Sequence, residues 1–292
     1  MKYYIAILVT ILLFSTVEVV TKTISSNIEP LYLAFLRYSI SGIIIMTVGV
    51  AKEFKERHKL IDYLKLCGVG IIGITISIGF FHTALQYVKA AEAAVIFSTN
   101  PIFSAFFAWF FLKEKLNKNI VFGMLLAVIG VYIMTFGFKQ LTIKDGFGAG
   151  LMLISAITFG LYIVLSKMYL KNHNVFFGTG LVFISGAVMY LPFINSFKIN
   201  NFSEVFPVIM YLSIGTTGVA YIFYFYGLSK VNVAAGSSMF YLKPVIASLL
   251  AAIIIKESLG LNFMIGFVFI MIGMFLSTIL PAIRKICVTN RS

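Results

Sequence analysis

Residues 85–130 recur as residues 228–273, and this duplication constrains the fold more than any other feature of the chain. At an offset of 143, Leu85 corresponds to Leu228, Val88 to Val231, Phe97 to Phe240, Pro101 to Pro244, Glu114 to Glu257, Gly123 to Gly266 and Gly130 to Gly273. Each copy is an apolar run with a proline near its middle, a Lys-Glu pair at its end, and a second apolar run carrying spaced glycines. The fold therefore contains one unit twice.

Runs of roughly 20 apolar residues can cross about 30 Å of hydrocarbon. Ten such runs occupy approximately residues 3–22, 30–51, 63–84, 90–112, 118–137, 147–168, 174–194, 204–227, 232–255 and 260–281. Only 11% of the residues are charged and 60% are hydrophobic, whereas soluble domains carry about 25% charged residues. The first run lacks a small-residue cleavage site and is interrupted by Glu18, which reads as a retained helix and not a signal peptide. Without period-2 alternation the runs are helices, since a barrel would alternate. The expected fold is an all-α integral membrane protein with ten transmembrane helices and no attached soluble domain.

The halves are separated at 138–148, giving repeats over 1–137 and 147–281 and a tail over 282–292. Five helices per half is an odd number, so the second copy is inverted in the membrane relative to the first, as in many secondary transporters. Phe14, Ser15 and Lys22 correspond to Phe159, Gly160 and Lys167 at an offset of 145. The net charge of +13 lies in short loops without an aromatic-basic motif, which argues against nucleic acid. Fourteen Lys and Arg residues fall on the amino-terminal side and six on the other (Lys22, Lys89, Lys139, Lys144, Lys198 and Lys256). The positive-inside rule then places both termini in the cytoplasm and the chain in the cell membrane. Cys67 and Cys287 fall on the reducing side and are expected to be free thiols.

The set of motifs resembles the EamA family of the drug/metabolite transporter superfamily over nearly the whole chain. The residues that carry the resemblance are Leu36-Arg37-Tyr38, the segment ALQYVKAAEAAVIFSTNPIFSAFFAWFFLKEKL, and YGLSKVNVAAGSSMFYLKPVIASLLAAIIIKESL. The resemblance implies a carrier, usually an exporter of small metabolites, with a central cavity between the halves. Phe14-Ser15 departs from the family's frequent Trp-Gly, and Glu18 and Lys243 are not part of its general pattern.

Lys243 stands eleven residues into its run, about 16 Å deep and close to the midplane. A lysine there costs roughly 2.5–3.5 kcal/mol to insert, so it faces a partner or a wet cavity. Asn100 is its repeat counterpart, and Pro101 and Pro244 beside them free the carbonyls of Phe97 and Phe240. Intramembrane charges are functional by default; the plainer reading is two kinked packing helices with Lys243 balancing a buried carboxylate. Glu18 has two candidate partners. Pairing with Arg37 is structural or an outer gate and needs less reach, while pairing with Lys243 joins the outer vestibule to the site. A desolvated Glu18 that exchanges partners could carry a proton; a facilitator needs no such group. His82 and Glu92 read as rim residues.

Tyr221, Tyr224 and Phe225 share one helical face and Tyr241 adjoins Lys243. These tyrosines could wall a cavity, with Tyr224 preferred, although aromatic stripes more often pack or form belts, as Trp109, Phe110 and Phe111 do. The Lys113-Glu114 and Lys256-Glu257 pairs read as helix-end anchors. Gly123, Gly130, Gly266 and Gly273 predict a close helix contact between the halves or between protomers of a homodimer, a monomer being the alternative.

The sequence thus points to an alternating-access exporter of amino acids or related carboxylate-bearing compounds. Its substrate site would comprise Lys243, Asn100, Glu18, Tyr221, Tyr224 and Tyr241, with membrane lipid as solvent, protons as a candidate coupling ion, and no metal or cofactor. A facilitator or channel for amines is the alternative. An intramembrane enzyme fits less well, because the chain has no HExxH, paired catalytic aspartates or Gly-x-Ser-x-Gly.

Overall fold

The computed structural model describes residues 2–53, 58–88, 90–136, 143–254 and 260–279. The tail, Cys287, Lys256, Glu257 and residues 138–142 of the boundary lie outside these residues, as does the side chain of Glu92.

The named elements are all helical. We label α1 (Lys2–Phe14 continued by Val17–Ile24), α2 (Pro30–Glu53), α3 (Leu60–Ala84), α4 (Ala90–Phe97 continued by Asn100–Leu112) and α5 (Lys118–Phe136). The second half supplies α6 (Ile143–Leu170), α7 (Val175–Val188), α8 (Phe202–Leu228), α9 (Val233–Ser237 to Leu242–Ile254) and α10 (Leu261–Met274 to Phe275–Ile279). Among the described residues, six helices are long and apolar enough to cross a membrane: Lys2–Ile24, Pro30–Val50, Leu60–Ala84, Gly146–Leu170, Val175–Phe193 and Phe202–Leu228. α4 and α9 fall short because each is interrupted beside its proline, at Ser98-Thr99 and at a 3₁₀ turn over Ser238–Tyr241. Leu12, Val48, Phe110, Phe122, Leu125, Phe223 and Ile253 are exposed while Glu18, Arg37, His82, Asn100 and Lys243 are buried. A soluble protein has the opposite distribution. This is a multi-pass membrane protein.

The packing obeys the repeat. α1 lies against α8 and α6 against α3, which are equivalent contacts under the repeat, while α2 pairs with α7 and α5 with α10. α3 and α8 each contain a π-helical stretch, Ile71–Ile78 and Tyr211–Val219, at corresponding places. The exposed Trp109, Phe110 and Phe111 face outward as a belt would.

The symmetry fails where the sequence does. α1 breaks at Ser15-Thr16, where Ser15 Oγ donates to the Ile11 carbonyl at 2.6 Å and Thr16 Oγ1 to the Leu13 carbonyl at 2.8 Å. Hydroxyls bonded back to the preceding turn compete with the helical ladder. α6 has Gly160 instead and runs unbroken. A Cβ there would sit 2.8 Å from Ser104 N, so the glycine admits the second segment of α4 against α6.

The glycine spacing finds its use between the halves of one chain. A Cβ on Gly123 would lie 2.5 Å from the Gly273 carbonyl oxygen, and one on Gly130 would lie 2.7 Å from that of Gly266. Nothing lies within 4 Å of the corresponding position on Gly150. Gly123→Ala is therefore expected to lower stability by about 1–3 kcal/mol through overpacking, and Gly150→Ala to leave it unchanged or raise it, as read by thermal melting in detergent.

Candidate functional site

Pro101 and Pro244 organise the centre of the molecule. Proline cannot donate to the carbonyl four residues earlier, and in α4 the orphaned Phe97 carbonyl is taken by Asn100 Nδ2 at 2.8 Å. Asn100 is fully buried at the helix break, with its Nδ2 bonded to its own backbone and its Oδ1 without a partner among the described residues. In α9 the 3₁₀ turn precedes Pro244 and carries Lys243 to the interface with α1 and α4.

Lys243 Nζ forms an ion pair with Glu18 Oε1, and the two side chains are 3% and 0% exposed. The ammonium also lies over the Phe97 ring at 4.7 Å and the Phe81 ring at 5.6 Å. The pair links the first half to the second. Apart from this ammonium, no donor among the described residues reaches either Glu18 oxygen. The Glu18 with Arg37 pairing, which needs less reach by depth alone, is not formed. The second segment of α1 packs on α4, α8 and α9, which turns Glu18 toward α9.

Arg37 is held by neutral groups. Its Nη1 meets His82 Nε2 at 3.1 Å, and its Nη2 donates to Thr216 Oγ1 at 3.3 Å and Thr217 Oγ1 at 3.1 Å. The two threonines are consecutive in the π-helical stretch of α8: both hydroxyls donate to the Leu212 carbonyl, at 2.8 and 2.7 Å, and accept from the guanidinium. Guanidinium only donates, so His82 Nε2 accepts and the ring is neutral. His82 is buried, not a rim residue. No carboxylate pairs with Arg37 among the described residues, and its Nε has no partner there.

Arg37, Tyr38, Tyr221 and Lys243 line one cavity with Phe14, Val17, Ile78, Phe81, Phe97 and Phe159. Its volume is about 30 Å³, room for about one water. Of the residues expected in the site, Lys243 and Tyr221 line it and Glu18 stands behind Lys243. Tyr224 and Tyr241 do not line it. Tyr224 packs on Phe240 at 5.4 Å, and Tyr241 is buried with Ala105, Met124, Val245 and Ile270. Of Tyr221, Tyr224 and Tyr241, Tyr221 alone borders this cavity.

A second cavity of about 230 Å³ lies on the amino-terminal side, lined by Leu112, Ser166, Lys167, Lys171, Phe225 and Leu228 among others. Phe225 borders this vestibule and Tyr221 borders the central cavity, with ring centroids 6.1 Å apart. One aromatic layer separates them. Lys167 donates to Glu114 at 2.9 Å and to the Val231 carbonyl at 2.7 Å, while Glu114 accepts from Val233 N at 2.9 Å. The repeated Glu of the Lys-Glu pair is therefore more than an anchor in the first half: it ties α4 to α6 and to the start of α9.

Residues 1–136 and 146–279 each match the EamA-like transporter family. The chain belongs to that family. An uncharacterized transporter of Clostridium kluyveri is 31% identical over 93% of this chain and 91% of its own length. The aromatic amino acid exporter YddG of Salmonella typhimurium is 26% identical over 91% of this chain and 93% of its own. One crystal structure superposes with a TM-score of 0.76, at 20% identity over 95% of this chain and 98% of that one, a likeness of fold.

A buried charge stripped of its partner is strongly destabilising, by about 3–5 kcal/mol. Lys243→Met alone is therefore expected to lower stability by about that amount, contrary to what an isolated cavity lysine would do. Glu18→Gln added to Lys243→Met should restore most of it in a double-mutant cycle by thermal melting; additive losses would show that the pair contributes nothing.

Proposed function

We propose that this protein is an alternating-access secondary transporter, an exporter of amino acids or related carboxylate-bearing metabolites, with ten membrane-spanning helices and both termini cytoplasmic. The observation that carries this reading is a polar centre between inverted halves in which Lys243, Arg37 and Glu18 leave one positive charge without a carboxylate partner. A substrate carboxylate would supply the missing countercharge, and the open Glu18 Oε2 is an acceptor for its ammonium. The cavity walls of Phe14, Phe81, Phe159 and Tyr221 suit an apolar or aromatic side chain. Kinship with an aromatic amino acid exporter supports the same class.

Pockets that enclose small molecules usually measure about 300–1,000 Å³. The central cavity of about 30 Å³ is closed by comparison, so a substrate enters only when the halves rearrange. The vestibule beyond Phe225 is the entry route from the cytoplasm, and opening requires Tyr221 and Phe225 to part. Substrate would compete with the internal Lys243 and Glu18 pair, coupling binding to that motion. Proton coupling would run through Glu18, the carboxylate released when the pair opens. A second reading, amine transport, draws on the same pair, since Glu18 neutralises Lys243.

A thermal-shift screen of the purified protein against amino acids, organic acids and amines tests both readings. A ligand at 100 times its Kd stabilises the folded state by about 2.7 kcal/mol. Zwitterionic aromatic amino acids are expected to raise Tm in the wild type and to lose that effect in Arg37→Met. Stabilisation by amines in both proteins would reverse the assignment.

A further inference from the structure

The chain contains three histidines, and the two outside the central site converge on one buried carboxylate at the amino-terminal side. Glu53, at the end of α2, is 1% exposed. Its Oε1 lies 2.5 Å from His173 Nδ1 and 3.5 Å from His58 Nε2. His173, in the α6–α7 connection, is 2% exposed at its side chain and His58, in the α2–α3 connection, is 11% exposed. The imidazole rings lie 4.3 Å apart, centroid to centroid, and the Tyr63 ring flanks both, at 5.5 Å from His173 and 5.9 Å from His58.

The opposite end of α2 provides a comparison within the molecule. There Glu29 accepts from the backbone nitrogens of Asn195 and Ser196 and from the Asn195 side chain, so a carboxylate holding the far end of α7 needs no histidine. Glu53 likewise accepts from Asn174 N at 2.7 Å, through Oε2. That bond fixes the carboxylate and turns Oε1 toward the two imidazoles. Three ligand atoms of hard-to-intermediate character lie within 4.8 Å of one another, and one carboxylate oxygen is oriented by an outer hydrogen bond. Zinc bonded at about 2.0–2.1 Å to two His nitrogens and one carboxylate oxygen holds those atoms a little over 3 Å apart.

We propose that Glu53, His58 and His173 form a binding site for a zinc-class divalent cation, with water as the fourth ligand. The metal takes the place of the proton between His173 and Glu53, which makes binding weaken as pH falls. Glu53 and His58 belong to the first half and His173 to the second. An ion here pins the halves together at one end of the α2–α7 pair, away from the substrate cavity. The donor set suits zinc, nickel or copper and not calcium or magnesium, whose ligands are oxygens.

The test uses the full chain in detergent, purified through a tag without histidine, stripped with a chelator and titrated with Co²⁺. One Co²⁺ per chain with visible d–d absorption, displaced by Zn²⁺, is expected. His58→Gln leaves the Glu53 and Asn174 contact intact and should weaken Zn²⁺ binding by more than about 100-fold, beyond the 10–100-fold that an outer-shell partner contributes. His173→Gln should do the same while both variants remain monodisperse. Failure of the wild type to take up Co²⁺ in a one-to-one ratio would overturn the proposal, as would uptake undiminished in His58→Gln. Neither result depends on transport, so the substrate assignment stands or falls separately.

Discussion

Hydrocarbon offers no hydrogen bonds and little tolerance for charge, so a charged side chain drawn inside this molecule has to be answered by another part of the chain. Lys243 is answered by Glu18 across the interface of the halves. Arg37 is answered by one imidazole and two hydroxyls. Even the Phe97 carbonyl orphaned by Pro101 is answered by Asn100. The helix packing follows from these obligations as much as from apolar contact, since lipid competes with side chains for apolar surface.

The irregular stretches of backbone sit where this accounting requires them. Thr216 and Thr217, which both accept from one nitrogen of Arg37, lie in the π-helical part of α8. The break in α1 directs Glu18 away from α2 and toward α9. The 3₁₀ turn in α9 carries Lys243 to meet it. These three departures together build the polar centre, and each occurs beside residues that bind their own backbone or lack a donor.

Duplication supplies the other organising constraint. The contact of α1 with α8 is matched by that of α6 with α3, equivalent helices meet as α2 with α7 and α5 with α10, and the glycines that repeat in sequence meet each other in space. The two copies have nevertheless diverged at the centre, where Asn100 in one corresponds to Lys243 in the other. One copy thus closes its own helix break while the other contributes the charge. A site between such halves is asymmetric in chemistry although symmetric in scaffold.

The sequence by itself determined the membrane environment, the helical class, the two repeats, the outward belt and the glycine seam, because these depend on composition and on periodic patterns that survive projection onto a line. It also singled out Lys243, Glu18, Arg37 and Tyr221, since charge or hydroxyl in an apolar run is visible without a fold. Only the tertiary structure decided that Glu18 faces Lys243, that His82 is buried against Arg37, and that Tyr224 and Tyr241 pack away from the cavity. Depth along a helix can be counted from sequence, but rotation about its axis cannot once a hydroxyl break or a π turn intervenes. The meeting of Glu53, His58 and His173 was equally illegible, because it joins residues from separate connections whose approach is set by the packing of α2 on α7.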